Sequence, residues 1–147
     1  MGGVGDDILI GGKGNDTLNG GAGDDTYVFN KGDGADTIND YDYSQGSSDT
    51  LSISNVASNQ LWFAKSGNDL LVSVIGATDS MKVQNWYSGD SCHVEKIQTG
   101  DGKLLLDTQV QNLVQAMAGF APPAAGQTTL PANYQTSLDS VIAANWH

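Results

Sequence analysis

The sequence predicts a mainly β protein: a parallel β-roll that continues into a β-rich capping module and ends in two C-terminal helices. Three observations predict it. Nine-residue blocks follow one another without a gap from Gly2 to Val28 (GGVGDDILI, GGKGNDTLN, GGAGDDTYV), each reading Gly-Gly-x-Gly-x-Asp-x-apolar-x. Short branched stretches separated by turn residues fill the region from Leu61 to Leu106. Apolar residues then recur at helical spacing, first at Val110, Leu113, Val114 and Met117.

A tandem nonapeptide of this kind is the pattern of stacked β-coils. Its glycines allow tight turns that present carbonyl oxygens. The sixth place of each block, Asp7, Asp16 and Asp25, adds a carboxylate to that turn. Carbonyl and carboxylate oxygens are the donors that Ca²⁺ selects, so the roll is expected to be calcium-loaded. The eighth place, Leu9, Leu18 and Tyr27, points inward from a short strand. After Phe29 and Asn30 a fourth block, Lys31 to Asn39, keeps Gly32, Gly34, Asp36 and an inward Ile38. A degraded fifth block places Asp49 sixth and Leu51 eighth, and Asp40-Tyr41-Asp42 before it offers carboxylates to close the last site. At the other end Met1 directly precedes a complete block, so more repeats are expected upstream in a longer parent protein.

Charge supports the same reading. Of 17 acidic residues only Glu95 is a glutamate, and all six basic residues are lysines. Ten aspartates fall in the first 50 residues, opposed by Lys13 and Lys31 alone, which leaves that segment at −8. Self-repulsion opposes its compaction, and its glycines raise the entropy lost on ordering. A divalent cation removes the first obstacle and offsets the second. A solvated acidic linker is the bland alternative, but periodic aspartates beside periodic inward aliphatics disfavour it. The net charge of −11 disfavours nucleic acid as a partner.

Other chemistries find little support. Cys92 is the lone cysteine, so there is no disulfide framework. Cys92-His93 lacks further ligands or an orienting third group and is read as part of a strand edge. No Gly-x-Ser-x-Gly elbow and no His-Glu-x-x-His helix is present, so no enzyme is expected within these residues. No N-terminal signal peptide is visible. No apolar run approaches the roughly 20 residues that span a bilayer.

Beyond the repeats, Leu61–Lys65 and Leu70–Ile75 read as a hairpin turning at Ser66–Asp69. Gly76 to Ser80 turns the chain into a strand from Met81 to Tyr87. Val94–Gln98 and Lys103–Leu106 make a second hairpin around Gly100-Asp101-Gly102. The helix through Val110 has Asp107 or Thr108 as its expected N-cap and Gly119 as its stop. A linker from Ala121 to Gln127 leads to a last helix from Pro131 to about Asn145, with Tyr134, Leu138, Val141 and Ile142 on one side.

These features resemble a known family. Residues 2–53 look like the repeat array of an RTX protein. The stretch SGNDLLVSVIGATDSMKVQNWY, Ser66 to Tyr87, is similar to the haemolysin-type calcium-binding-related module that often follows such arrays. VEKIQTGDGKLLLDTQVQNLVQAMAGF and LPANYQTSLDSVIAANWH look like the C-terminal end of large bacterial RTX proteins. The resemblance implies three parts: a nonapeptide roll over 1–53, a related β-rich module over 54–106, and a helical region over 107–147 with a type I secretion signal. It further implies export by the type I secretion machinery, an extracellular or cell-surface location, and any catalytic domain upstream.

In that family two nonapeptides make one coil, so the turns of alternate blocks stack. The resemblance therefore implies that Asp7 and Asp25 share ions on one edge, and Asp16 and Asp36 on the other. Carbonyls of Gly3, Gly5, Gly12, Gly14, Gly21 and Gly23 complete much of the coordination, and Asp24, Asp33, Asp40, Asp42 and Asp49 are second-rank candidates near the end of the roll. The expected function is a calcium-binding module that folds on export, stabilising a larger RTX protein and helping its secretion. The alternative is an adhesin module that binds a glycan or host surface through Trp62 and Trp86, read as exposed.

Overall fold

The computed structural model describes residues 3–30, 32–39, 48–54, 56–75, 79–88, 94–120 and 132–146. Each nonapeptide supplies one turn and one short strand, so two of them carry the chain once around the roll. Strand β1 (Gly3–Val4) lies in the first turn, and β2 (Ile8–Ile10) and β3 (Thr17–Leu18) form opposite walls of the first coil. The second coil repeats this with β4 (Gly21–Ala22), β5 (Thr26–Asn30) and β6 (Ala35–Ile38). Pairing between coils is parallel and in register: Leu9 lies beside Tyr27, and Leu18 beside Ile38. Their side chains point inward and are buried. Block n thus stacks on block n+2, as the family resemblance implies.

Winding does not stop at the degraded fifth block. Strand β7 (Thr50–Ser54) adds to β5 in parallel with Leu51 beside Tyr27. The chain then makes a short 3₁₀ turn (Ser58–Gln60) and an antiparallel hairpin of β8 (Leu61–Ser66) and β9 (Asp69–Val74). It returns as β10 (Ser80–Val83), inserted between β9 and β6 and parallel to β6. Strand β11 (Lys96–Thr99) adds in parallel to β7, and β12 (Leu104–Leu106) closes the outer edge antiparallel to it. Among the described residues this gives two five-stranded sheets, β3-β6-β10-β9-β8 and β12-β11-β7-β5-β2.

The inward-facing residues change in size along this axis. The first coil contributes Leu9 and Leu18, whereas the far end contributes Leu61, Phe63, Leu70, Val72, Met81 and Ile97. Helix α1 (Asp107–Met117) buries its Val110–Leu113–Val114–Met117 stripe, packing against β8 and β12. Helix α2 (Ala132–Asn145) packs on α1, with Asn112 Nδ2 donating to Asn145 Oδ1 at 2.9 Å. Leu138, Ile142 and Trp146 are buried, and the Trp146 ring lies 6.2 Å from that of Phe63.

Some expected boundaries shift. The strand from Met81 to Tyr87 ends at Val83, because Asn85 adopts φ 59° and its amide donates to Asp69 Oδ1, after which Trp86–Ser88 form a 3₁₀ turn. Neither Asp107 nor Thr108 is the N-cap of α1. Leu106 holds that place, and its amide donates to Gln109 Oε1 at 3.3 Å. Asp107 instead becomes the first helical residue, where its carboxylate favours the helix N-terminus. Asp40, Asp42, Cys92, His93 and the linker over 121–127 lie outside the described residues.

Candidate metal-binding site

The turns gather on two edges of the roll, and each edge carries a ladder of acidic residues. On the first edge Asp7, Asp25 and Asp49 stack in register, with Glu95 beyond them. The rungs are joined by carboxylates. Asp7 N donates to Asp25 Oδ1 at 2.9 Å, Asp25 N to Asp49 Oδ1 at 2.8 Å, and Asp49 N to Glu95 Oε2 at 2.7 Å. In return the carbonyls of Asp7, Asp25 and Asp49 accept from Thr26, Thr50 and Lys96 N. On the second edge Asp16 N donates to Asp36 Oδ1 at 2.9 Å, and Asp16 O accepts from Thr37 N at 2.7 Å. Charged acceptors make each such rung worth about 1.5–3 kcal/mol.

A second staple runs the opposite way through the fifth place. Asp6 Oδ1 accepts from Asp24 N at 2.9 Å, Asn15 Oδ1 from Ala35 N at 3.0 Å, and Asp24 Oδ1 from Ser48 N at 2.8 Å. Fifth-place side chains thus reach toward the following coil, and sixth-place side chains toward the preceding one. Asp6 and Asn15 were missed as site residues, although the Asp/Asn alternation in the fifth place of three blocks is visible in sequence. Glu95 was missed too, yet Glu95-Lys96-Ile97 repeats the acid-x-apolar signature of Asp49-Thr50-Leu51.

Glycines set the spacing between turns. Gly3, Gly5, Gly12, Gly14, Gly21 and Gly23 all lie at φ between 80° and 122°, closed to most side chains. Gly21 and Gly34 approach the carbonyls of Gly3 and Gly14 so closely that a Cβ would collide with them. Glycine in the first place has a different cause. The Asp25 carboxylate and Tyr27 hydroxyl fold over Gly20, where a side chain would stand, and Gly20 N donates to Tyr27 Oη at 3.0 Å.

Asp25, Asp49 and Asp36 each commit one oxygen to these rungs, and the carboxylates at the start of each ladder decide what the edge can hold. Asp7 Oδ2 and Asp16 Oδ2 are buried and have no hydrogen-bond partner among the described residues. A buried carboxylate oxygen without a donor is costly unless a cation meets it. Asp36 lies nearly inaccessible beside this edge. Burial pushes its carboxyl above the usual range, the Asp16 amide opposes that, and the charges of Asp16, Asp33 and Asp79 raise it further. Burial likewise pushes Glu95 up to about 7, with the charges of Asp49 and Asp107 contributing. Hard oxygen donors of this kind fit Ca²⁺ and not a soft metal. Among the described residues no three His, Cys, Asp or Glu side chains converge as a metal cluster, so backbone carbonyls must supply part of any coordination.

The remaining candidates divide. Asp49 continues the first ladder. Asp24 staples two coils from an exposed position. Asp33 closes its own turn, with Asn30 N donating to its Oδ2 at 2.9 Å, while its carbonyl accepts from Gly14 N. Trp62 and Trp86 correct an expectation: they are 4% and 3% exposed, not surface groups. Trp62 lies on the face of β8 opposite Leu61 and Phe63, where the Tyr134 ring of α2 stands 6.0 Å away, so the adhesin reading loses the aromatics on which it stood.

Comparison with known proteins agrees with this geometry. Residues 1–38 match the model of the RTX calcium-binding nonapeptide repeat (4 copies), and residues 69–109 that of the haemolysin-type calcium binding protein related domain. Over 86 residues the chain is 39% identical to the iron-regulated protein FrpA of Neisseria meningitidis serogroup C, a match covering 56% of this chain and 8% of that protein. Among the described residues no helix is long and apolar enough to cross a membrane. Stacked Gly-Gly-x-Gly-x-Asp turns with paired carboxylates, running without a break into the return strand β10, place residues 1–38 in the RTX calcium-binding nonapeptide repeats and residues 69–109 in the haemolysin-type calcium-binding related domain.

Proposed function

We propose that this chain is a calcium-gated folding module, which orders on export into calcium-rich surroundings, stabilises a larger RTX protein and helps its secretion. The observation that carries the reading is a pair of buried oxygens that no donor meets among the described residues, Asp7 Oδ2 and Asp16 Oδ2, each at an edge where glycine turns stack. Asp7, Asp25 and Asp49 would hold ions on the first edge, and Asp16 and Asp36 on the second, with carbonyls of Gly3, Gly5, Gly12, Gly14, Gly21 and Gly23 as co-ligands. Bound Ca²⁺ supplies positive charge and oxygen coordination there.

Without it, the aspartates of each ladder repel one another, and in the first coils the small inner column of Leu9, Leu18, Tyr27 and Ile38 is what opposes that repulsion locally. One such side chain contributes about 1.5–3 kcal/mol. Extracellular calcium modules bind at roughly 10⁻⁴–10⁻³ M, well above free calcium in a bacterial cytosol. The sites would then be empty before export and the chain free to thread a channel. At ten times the dissociation constant each site adds about 1.4 kcal/mol, so three or four add about 4–6. Circular dichroism and calorimetric titration test the reading. Millimolar Ca²⁺ should raise β content and Tm where equal Mg²⁺ does not, and identical spectra in calcium and in chelator would end it.

A further inference from the structure

Asp79 stands outside every nonapeptide and touches the last turn of the second edge in a way no sequence pattern announces. In the upstream coils, turn amides donate to carbonyls of the next turn: Gly3 N to Gly20 O and Gly5 N to Ala22 O, both at 2.8 Å, and Gly14 N to Asp33 O at 2.8 Å. The fourth block has no such turn after it, because the chain leaves for the β8–β9 hairpin. The corresponding amides are Gly32 N and Gly34 N. They donate to the two oxygens of one carboxylate, Asp79 Oδ2 at 2.8 Å and Asp79 Oδ1 at 3.1 Å. Asp79 is 6% exposed, and the next residue returns the contact, Ser80 N donating to Gly34 O at 3.0 Å.

We propose that the Asp79 carboxylate replaces the carbonyl pair of an absent repeat, and so sets the calcium affinity of the last pair of turns on the second edge. Glu95 is its counterpart on the first edge, taking the Asp49 amide where a sixth-place aspartate would stand. Both are positioning residues. They orient turns whose other oxygens face the ion, as outer partners of metal ligands do. The related domain would thereby end the roll by imitating its next turn. The inference rests on the calcium reading above.

The test is a calcium titration of the full chain followed by amide NMR, which reports each edge separately. Asp79→Ala should raise the calcium midpoint at Gly14 and Gly34 about tenfold, while the midpoints at Gly21 and Gly23 stay put. Asp79→Asn keeps one acceptor and should fall between, which also covers a failure of the alanine variant to fold. Glu95→Ala should show the reverse pattern. Equal shifts on both edges would mark a general loss of stability and overturn the proposal, as would unchanged midpoints at Gly14 and Gly34. If the wild-type turn amides ignore calcium, the calcium reading itself falls; if they respond and the variants match them, only this inference does.

Discussion

The two ends of this molecule are held together by different physics. The first two coils enclose Leu9, Leu18, Tyr27 and Ile38, and their turns are joined by carboxylates accepting amides from neighbouring coils. The end built from β8, β9, α1 and α2 buries Leu61, Trp62, Phe63, Leu70, Leu113, Met117, Leu138 and Ile142, the larger side chains of an apolar core continuous with those four. Area removed from water stabilises the second without need of a cation. The first concentrates like charges and glycine, so its stability depends on what neutralises the edges. On the calcium-gated reading proposed above, one pair of sheets joins a half conditional on calcium to one that is not.

The sharpest way to break that contrast is to remove the cation. With chelator the coils should lose about 4–6 kcal/mol, and hydrogen exchange should show amides of β5 and β6 unprotected while those of β8, β9 and α1 stay protected. Uniform loss along the chain would mean a single cooperative unit. Phe63→Ala probes the other half. It should cost about 3–5 kcal/mol, by nearly the same amount in calcium and in chelator, as thermal unfolding under both conditions would report. A calcium-dependent cost would refute the separation.

A smaller effect is expected at Gly20. Gly20→Ala puts a methyl into the Asp25 carboxylate and the Tyr27 hydroxyl, so the ladder must shift, at about 1–3 kcal/mol. The loss should be larger with calcium than without, which calorimetric titration can read as weakened binding. The finest effect concerns pH. Glu95 is pushed up to about 7 from 4.5 by burial in the folded chain, so folding takes up a proton there. That contribution is complete below pH 4.5 and disappears as pH rises through about 7. In chelator, acidification across this window should restore protection to Thr50 and Lys96 amides, and Glu95→Gln should hold it at both ends of the range. A variant that follows the wild-type pH curve would remove Glu95 as the cause.

Periodicity made the repeat region legible. The nine-residue register, with one two-residue insertion before the fourth block, placed Asp7, Asp16 and Asp25 in the turns, Asp36 in line with them at the start of β6, and Leu9, Leu18, Tyr27 and Ile38 in the core, because each block repeats one local geometry. The helical stripe of α1 was legible for the same reason. Trp62 was misjudged because nothing local distinguishes an aromatic on a wet face from one covered by a helix about 70 residues away in sequence. The N-cap of α1 differed by one or two residues, a margin at which β12 runs directly into the helix.

By itself, then, the sequence determined the coil: a nine-residue code, glycines where turns stack, and acids where oxygens gather. Only the tertiary structure decided how the coil ends. Asp79 and Glu95 act on Gly32, Gly34 and Asp49 from 45 to 47 residues away, outside the nine-residue register, with the short acid-x-apolar echo at Glu95 too brief to fix its partner. Repeats are specified by neighbours in the chain. A terminus is specified by whatever the fold brings to the last unpaired amide.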